Sequence, residues 1–167
     1  MQDNIIVKPS VEKQFDRFLR QGRVLFFSAP CGFGKTAVAE ALLSSREVLR
    51  LSADGAGFKL PSAEADWQIL LLDDLQDMQE EQDWNALCEL IRACPERRFV
   101  LLSRGTPPGS LMAFQYTGLM TVLEADDLLF DADDVRRLLR LYGVEAADSE
   151  IDGILKESVG YPLGVAI

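Results

Sequence analysis

Short, continuous apolar runs alternate along the chain with segments in which apolar residues recur every three or four positions. The strands predicted from these runs lie at residues 23–28, 47–52, 68–72, 98–103 and 120–123. Runs of this length are typical of strands buried on both faces, and the spaced pattern is typical of amphipathic helices. Strands that alternate with helices predict an α/β fold, with a mostly parallel sheet between layers of helices.

The pattern changes after residue 124, where two amphipathic helices follow with no strand between them. Asp131 is the predicted N-cap of the first, and Ser149 with Asp152 three residues later resembles a capping box for the second. This change of pattern divides the chain into a core over residues 1–123 and the start of a helical subdomain over residues 124–167. Within the core, Ser10 is the predicted N-cap of the first helix.

Composition and charge exclude several kinds of function. The 167 residues include 17 Lys and Arg against 27 Asp and Glu, which gives a net charge of −10. This charge argues against direct nucleic-acid binding, which needs clustered cations. The chain has no His, so catalytic triads and most catalytic zinc sites are excluded. The three cysteines follow no disulfide framework, which predicts a reduced, cytoplasmic setting. No apolar run is long enough to predict a membrane span.

The strongest chemical signal follows the first predicted strand. It is a glycine-rich segment, here called the phosphate loop (residues 29–36), with the sequence Ala29-Pro30-Cys31-Gly32-Phe33-Gly34-Lys35-Thr36. Its glycines allow backbone N–H groups to turn toward phosphate oxygens, and the N-terminus of the next helix adds partial positive charge. Lys35 is suited to the β- and γ-phosphates and Thr36 to Mg²⁺. Ala29 replaces the usual first glycine, which requires that its φ be negative.

Two further strand ends carry candidate chemistry. Asp73 and Asp74 end the apolar run 68–72; Asp73 is the predicted Mg²⁺ ligand, and Asp74 could activate the attacking water. The alternative is that both simply end a strand at the surface. Arg104 ends the run 98–103, where it could neutralise a γ-phosphate or, equally, form an ion pair at the strand end. The sequence has no guanine-reading motif, which favours ATP.

The order of these motifs resembles a known family. The residues that carry the resemblance are Ser28–Thr36, Leu70–Asp74, Leu101–Pro108, Asp127–Phe130 and Gly160–Gly164. This order is similar to the ATP-binding module of MalT-like, LuxR-family large transcriptional regulators, within the signal-transduction ATPases with numerous domains (STAND), a class of P-loop NTPases. The phosphate loop is shared by many ATPases, and the Ser-Arg and Gly-x-Pro pairs are more specific.

The resemblance implies roles for individual residues. Lys35 and Thr36 would bind phosphate and Mg²⁺, Asp73 would hold the metal, Arg104 would sense the nucleotide and Pro162 would pack near the adenine. From its own spacing, Gly160-Tyr161-Pro162 is an ordinary helix end. The segment between the second strand and Asp73 is shorter than in the family, so a helix is expected to be missing there.

We therefore expect residues 1–123 to bind ATP or ADP with Mg²⁺ and to hydrolyse ATP slowly. The apolar residues 164–167 at the end suggest a fragment, whose parent protein would add sensor and DNA-binding domains. The alternative is a non-catalytic interaction module that keeps the NTPase fold. A small-molecule kinase would need a basic acceptor site, which the sequence does not offer.

Overall fold

The computed structural model describes residues 5–55 and 57–162, so the predicted apolar end at 164–167 lies outside the described residues. The α-helices are α1 (Pro9–Gln21), α2 (Lys35–Leu43), α3 (Glu81–Ala93), α4 (Met112–Tyr116), α5 (Ala125–Leu128), α6 (Ala132–Leu141) and α7 (Asp148–Ser158). The strands are β1 (Val24–Ser28), β2 (Val48–Ser52), β3 (Ile69–Asp73), β4 (Arg98–Ser103) and β5 (Met120–Glu124). No helix within these ranges is both long and apolar enough to cross a membrane.

The five strands form one parallel sheet in the order β2-β3-β4-β1-β5. The predicted α/β fold is confirmed, and each strand lies within one residue of its predicted bounds. The interior residues of the central strands are all apolar because helices cover both faces of the sheet, and the polar residues of these strands lie at their ends. The apolar runs in the sequence therefore reflect burial on two sides.

Alternate side chains of the strands form the two halves of the core. Phe26, Leu70 and Phe99 point to the face that α3 covers with Leu87 and Ile91. The neighbouring positions point to the opposite face, where α1 and α2 pack; they include Leu25, Phe27, Leu71, Val100 and Leu102. This double packing holds the strand ends rigidly, which is what a site built from the following loops requires.

Two predicted helix starts are wrong. α1 begins at Pro9 and not after Ser10, because proline is favoured at the first helical position, where it needs no hydrogen-bond acceptor for its nitrogen. α7 begins at Asp148, so Ser149 lies inside the helix. Its first turn is closed by Glu150, whose carboxylate accepts from the backbone N–H of Ala147 at 2.9 Å. The predicted pairing of Ser149 with Asp152 therefore does not form.

The predicted cap of α6 is confirmed. Asp131 accepts from the backbone N–H of Asp134 at 2.9 Å, and Asp134 accepts from the backbone N–H of Asp131 at 3.0 Å. This reciprocal pair is a capping box built from two aspartates. The short helices α4 and α5 were not predicted, since four or five residues are too few to display a helical period.

Gly160 lies just after α7 and packs against the backbone between α5 and α6. Both belong to the part of the chain after β5, here called the helical segment (residues 125–162). Gly160 has φ +74°, and a Cβ added there would lie 2.6 Å from the carbonyl oxygen of Phe130. Gly160→Ala is expected to lower the free energy of unfolding by about 2 kcal/mol, because it combines a left-handed backbone with a backbone clash. Thermal unfolding measures the change.

Gly153→Ala is the matched control for this prediction. Gly153 lies inside α7 with open space around its Cβ position. Alanine is a better helix former than glycine, so the control is expected to unfold at the same temperature or slightly higher. Equal melting temperatures for the Gly160→Ala and wild-type proteins would contradict the structural role given to Gly160.

Candidate functional site

The parallel sheet brings the predicted site residues to one edge. β4 lies between β1 and β3, and Ser28 at the end of β1 is opposite Ser103 at the end of β4. The Ser28 hydroxyl donates to the carbonyl of Gly105 at 2.9 Å, and the Ala29 N–H donates to the carbonyl of Ser103 at 3.2 Å. These bonds join the phosphate loop to the loop that carries Arg104.

Two glycines give the phosphate loop its curvature. Gly32 has φ +84° and Gly34 has φ +75°, a region that side chains with a Cβ rarely adopt. Ala29 is not among the residues with positive φ, so the replacement of the usual first glycine causes no strain. α2 begins directly after Gly34, which directs its unpaired N–H groups toward the loop.

Lys35 folds back over the phosphate loop. Its Nζ donates to the carbonyl oxygen of Ala29 at 2.6 Å and to that of Pro30 at 2.9 Å. Burial lowers the pKa of Lys35 below its ordinary value, and the negative charge of Asp73 partly opposes that effect. The ammonium group therefore lies in the loop, held by carbonyl oxygens and near one carboxylate.

The two predicted Mg²⁺ ligands lie side by side. The hydroxyl of Thr36 donates to Oδ2 of Asp73 at 2.8 Å, and Oδ1 of Asp73 accepts from the N–H of Asp74 at 2.7 Å. A hydroxyl and a carboxylate are oxygen ligands of the kind that Mg²⁺ prefers. The residues present at this point therefore fit the metal that the sequence predicts.

Asp74 is held by a small hydrogen-bond network at the end of β3. It has φ +57°, and its Oδ1 accepts from the amide of Gln76 at 3.2 Å. Its Oδ2 lies 2.8 Å from the hydroxyl of Ser52, which is equally close to Oδ1 of Asp54. Gln76 in turn accepts from the backbone N–H of Arg104 at 3.2 Å. One glutamine side chain thus connects the ends of β3 and β4.

The side chain of Arg104 lies exposed at the site and forms no ion pair within residues 5–55 and 57–162, the described part of the chain. The ion pair considered as an alternative from sequence is therefore not seen in this part of the chain. Its guanidinium remains available for a ligand at the phosphate loop.

Most of the predicted site residues line one cavity of about 460 Å³ with several charged side chains in its walls, here called the phosphate cavity. Its walls are Cys31, Gly32, Gly34, Lys35, Thr36, Ala37, Asp73, Asp74, Gln76 and Arg104. Pro30 lies outside it and contributes only its carbonyl to Lys35. The structure therefore brings together, in one cavity, groups that are spread over more than seventy positions of the sequence.

A second, mostly apolar cavity of about 230 Å³ adjoins the first, and we call it the apolar cavity. It is lined by Ile5, Ile6, Lys8, Val11, Gly32, Phe33, Gly34, Ala37, Val38, Leu128, Phe130, Leu138, Tyr142 and Pro162. Gly32, Gly34 and Ala37 line both cavities. Phe33 and Pro162, two of the predicted site residues, therefore lie in the apolar cavity and not with the others.

A charged cluster lies between the N-terminal segment and α6, and its Lys8 borders the apolar cavity. Lys8 donates to the carbonyl of Leu129, and its Nζ lies 3.6 Å from Oδ2 of Asp134. Asp134 is only 2% exposed, and this burial raises its pKa. The N–H of Asp134 lowers the pKa of Asp131, its capping partner. Residues before α1 thus contact the helical segment directly.

Several residues of the site were not predicted from sequence. Ser52 and Gln76 orient Asp74, Lys8 borders the apolar cavity, and the Tyr161 hydroxyl donates to the carbonyl of Cys31 at 2.7 Å. Ser52, Gln76 and Lys8 are single polar residues in no motif; Tyr161 lies inside the Gly160-Tyr161-Pro162 segment, where the resemblance gave a role only to Pro162. The only available signal was the position of Ser52 and Gln76 near predicted strand ends.

The order of the strands, with the phosphate loop after β1, defines the class: the chain has the α/β fold of the P-loop NTPases. It is similar to AMPPCP-bound DnaA from Aquifex aeolicus, with TM-score 0.66 and 19% identity over 99% of this chain and 62% of that chain. It is also similar to a RuvB variant from Thermotoga maritima, with TM-score 0.63 and 18% identity over 96% of this chain and 59% of that one.

A third similar structure is the STAND protein with a tetratricopeptide repeat sensor from Pyrococcus horikoshii. The TM-score is 0.62 and the identity 11%, over 98% of this chain and 30% of that one. The chain therefore spans about three-fifths of the DnaA and RuvB chains and less than a third of the STAND chain. No protein-family model and no curated protein sequence matches it. At these identities the likeness establishes the fold.

Proposed function

We propose that the chain is an Mg²⁺-dependent ATP-binding switch module that hydrolyses ATP slowly. The observation that carries the proposal is the adjacency of the two cavities, one with charged side chains in its walls and one mostly apolar, with Gly32, Gly34 and Ala37 shared between them. A nucleotide has the same division into a charged end and a flat, largely apolar base. Its phosphates would occupy the phosphate cavity and its adenine the apolar cavity, beside Phe33 and Pro162.

The residues of the phosphate cavity have distinct proposed roles. Lys35 would exchange its two carbonyl acceptors for phosphate oxygens, which are stronger partners for an ammonium group. Thr36 and Asp73 would hold Mg²⁺, which when bound neutralises charge on the β- and γ-phosphates. Asp74 would accept a proton from the attacking water, and Arg104 would face the γ-phosphate.

The helical segment gives the proposed switch its moving part. We assign residues 1–123 to the nucleotide-binding core and residues 124–167 to the start of a lid subdomain. Leu138 of α6 and Tyr142 directly after it line the apolar cavity, and Pro162 follows α7. A lid that contacts ATP-bound and ADP-bound cores unequally shifts its position with the state of the nucleotide.

The wider context that we propose is the N-terminal part of a signal-responsive transcriptional regulator of the MalT-like, STAND type. The motif order in the sequence and the fold shared with the Pyrococcus horikoshii STAND protein support this assignment. Sensor and DNA-binding domains would belong to the parent protein. With a net charge of −10, this part of it would not bind nucleic acid directly.

One observation favours a second candidate, a non-catalytic interaction module that keeps the fold. Both carboxylate oxygens of Asp74 face protein donors: Gln76 donates to one, and the other shares the Ser52 hydroxyl with Asp54. An acid whose oxygens are both hydrogen-bonded is a weaker base for water. In this case nucleotide binding, if it is kept, would not lead to turnover.

A titration with a fluorescent ATP analogue tests the proposal and separates the candidates. We expect saturable binding that ATP and ADP displace and that GTP displaces less well, because the apolar cavity offers no guanine-specific acceptor motif. Phosphate release measured on the same protein should be slow but above the rate without protein. Binding without release would favour the interaction module, and no binding would refute the ATP switch.

A further inference from the structure

The turn that follows α7 contacts two distant parts of the chain at once. The carbonyl oxygen of Gly160 accepts from the N–H of Phe130 at 2.8 Å, which ties the turn to the segment between α5 and α6. One residue later, the hydroxyl of Tyr161 donates to the carbonyl oxygen of Cys31 at 2.7 Å. The helical segment therefore donates a hydrogen bond to the Cys31 peptide group inside the phosphate loop.

The ring of Tyr161 adds a second contact with the same loop. Its centroid lies 4.9 Å from the centroid of the Phe33 ring, with an angle of 54° between the ring planes. Tilted aromatic pairs at this distance are attractive. The hydroxyl and the ring thus hold residues on both sides of Gly32, one of the two glycines that line both cavities.

Holding a carbonyl oxygen also sets the direction of the next N–H. The peptide bond is planar and trans, so the carbonyl of Cys31 and the N–H of Gly32 point in opposite directions across one rigid unit. Because the Tyr161 hydroxyl draws the Cys31 oxygen toward the turn after α7, the Gly32 N–H is turned away from that turn. An anion-binding loop needs its carbonyls outward and its N–H groups toward the anion.

From this geometry we propose that Tyr161 is a positioning residue for the phosphate loop: its hydroxyl holds the Cys31–Gly32 peptide in the orientation that receives nucleotide phosphates. The inference rests on the proposed ATP-binding function and deepens it, since it gives the helical segment a direct effect on phosphate affinity. Movement of that segment would release the peptide and weaken phosphate binding.

The test uses Tyr161→Phe, which keeps the ring beside Phe33 and removes only the hydroxyl. ATP, ADP and adenosine are each titrated against a bound fluorescent ADP analogue. We expect about fivefold weaker binding of ATP and ADP, the effect of one lost hydrogen bond, and no change for adenosine, which has no phosphate. A role confined to folding or to the base cavity would not separate adenosine from the phosphorylated ligands.

Tyr116→Phe is the matched control, because Tyr116 is 82% exposed on α4 and lines neither cavity. It should bind all three ligands as the wild type does, and both variants should melt at the wild-type temperature. Unchanged ATP and ADP affinities in Tyr161→Phe would overturn this inference alone, as would an equal loss for adenosine. A wild-type protein that binds neither ATP nor ADP would overturn the proposed function and this inference with it.

Discussion

Replacement of Lys35 by alanine is expected to weaken Mg-ATP binding by at least about 100-fold, equivalent to roughly 3 kcal/mol for the loss of charge-assisted phosphate contacts. Lys35 is the cation that the structure places inside the phosphate loop, where Ala29 and Pro30 hold it by their carbonyl oxygens. Calorimetry with the wild-type and Lys35→Ala proteins measures the difference directly.

Lys13→Ala serves as the control for this prediction. Lys13 is exposed in the middle of α1 and lines neither cavity, so its removal changes the net charge equally without altering the site. Its Mg-ATP affinity should remain within about twofold of the wild type, since one screened surface charge has little effect. An unchanged affinity in Lys35→Ala would show that residues 29–36 do not bind phosphate.

Asp73→Asn is expected to remove the dependence of ATP affinity on Mg²⁺. In the wild type, ATP should bind more tightly with Mg²⁺ than with a chelator, because the metal joins the carboxylate of Asp73 and the hydroxyl of Thr36 to the phosphates. Asparagine is similar in size and can still accept from the N–H of Asp74, but it lacks the negative charge. Titrations with Mg²⁺ and with EDTA should then give nearly equal affinities.

Asp77→Asn is the matched control for the metal prediction. Asp77 lies four residues further along, is exposed and does not line the phosphate cavity. It should keep the full wild-type difference between Mg²⁺ and EDTA. If Asp73→Asn also keeps that difference, the metal is held by another group, and Asp74 becomes the next residue to replace.

Local sequence was enough to predict the elements that surround the site. β1 and β4 are predictable because a strand covered on both faces is apolar at successive interior positions, and the uninterrupted apolar stretch 99–102 fits a buried strand better than an amphipathic helix. The phosphate loop is predictable for a similar reason: backbone that curves around phosphate needs glycine at defined positions, and Gly32 and Gly34 do have positive φ. Helix starts were less predictable: α1 begins at Pro9, because the preference of proline for the first helical position prevailed over that of Ser10 for the N-cap.

The contacts that complete the site could not be predicted, because they join residues far apart in sequence. Ser52 lies 22 positions from Asp74, Gln76 lies 28 from Arg104, and Tyr161 lies 130 from Cys31. A single serine, glutamine or tyrosine carries no pattern of its own. Its role depends on which strand ends and turns the fold brings together.

The sequence by itself therefore determined the fold class and the chemical groups of the candidate site, because both depend on short-range constraints: burial of strands, curvature of a loop, and the placing of acids after a strand. Only the tertiary structure decided the order of the strands, which places Arg104 between the phosphate loop and Asp73. It also decided that the site has two adjoining cavities and that Tyr161 reaches the loop from the helical segment. These are consequences of long-range packing, in which every partner lies on another element.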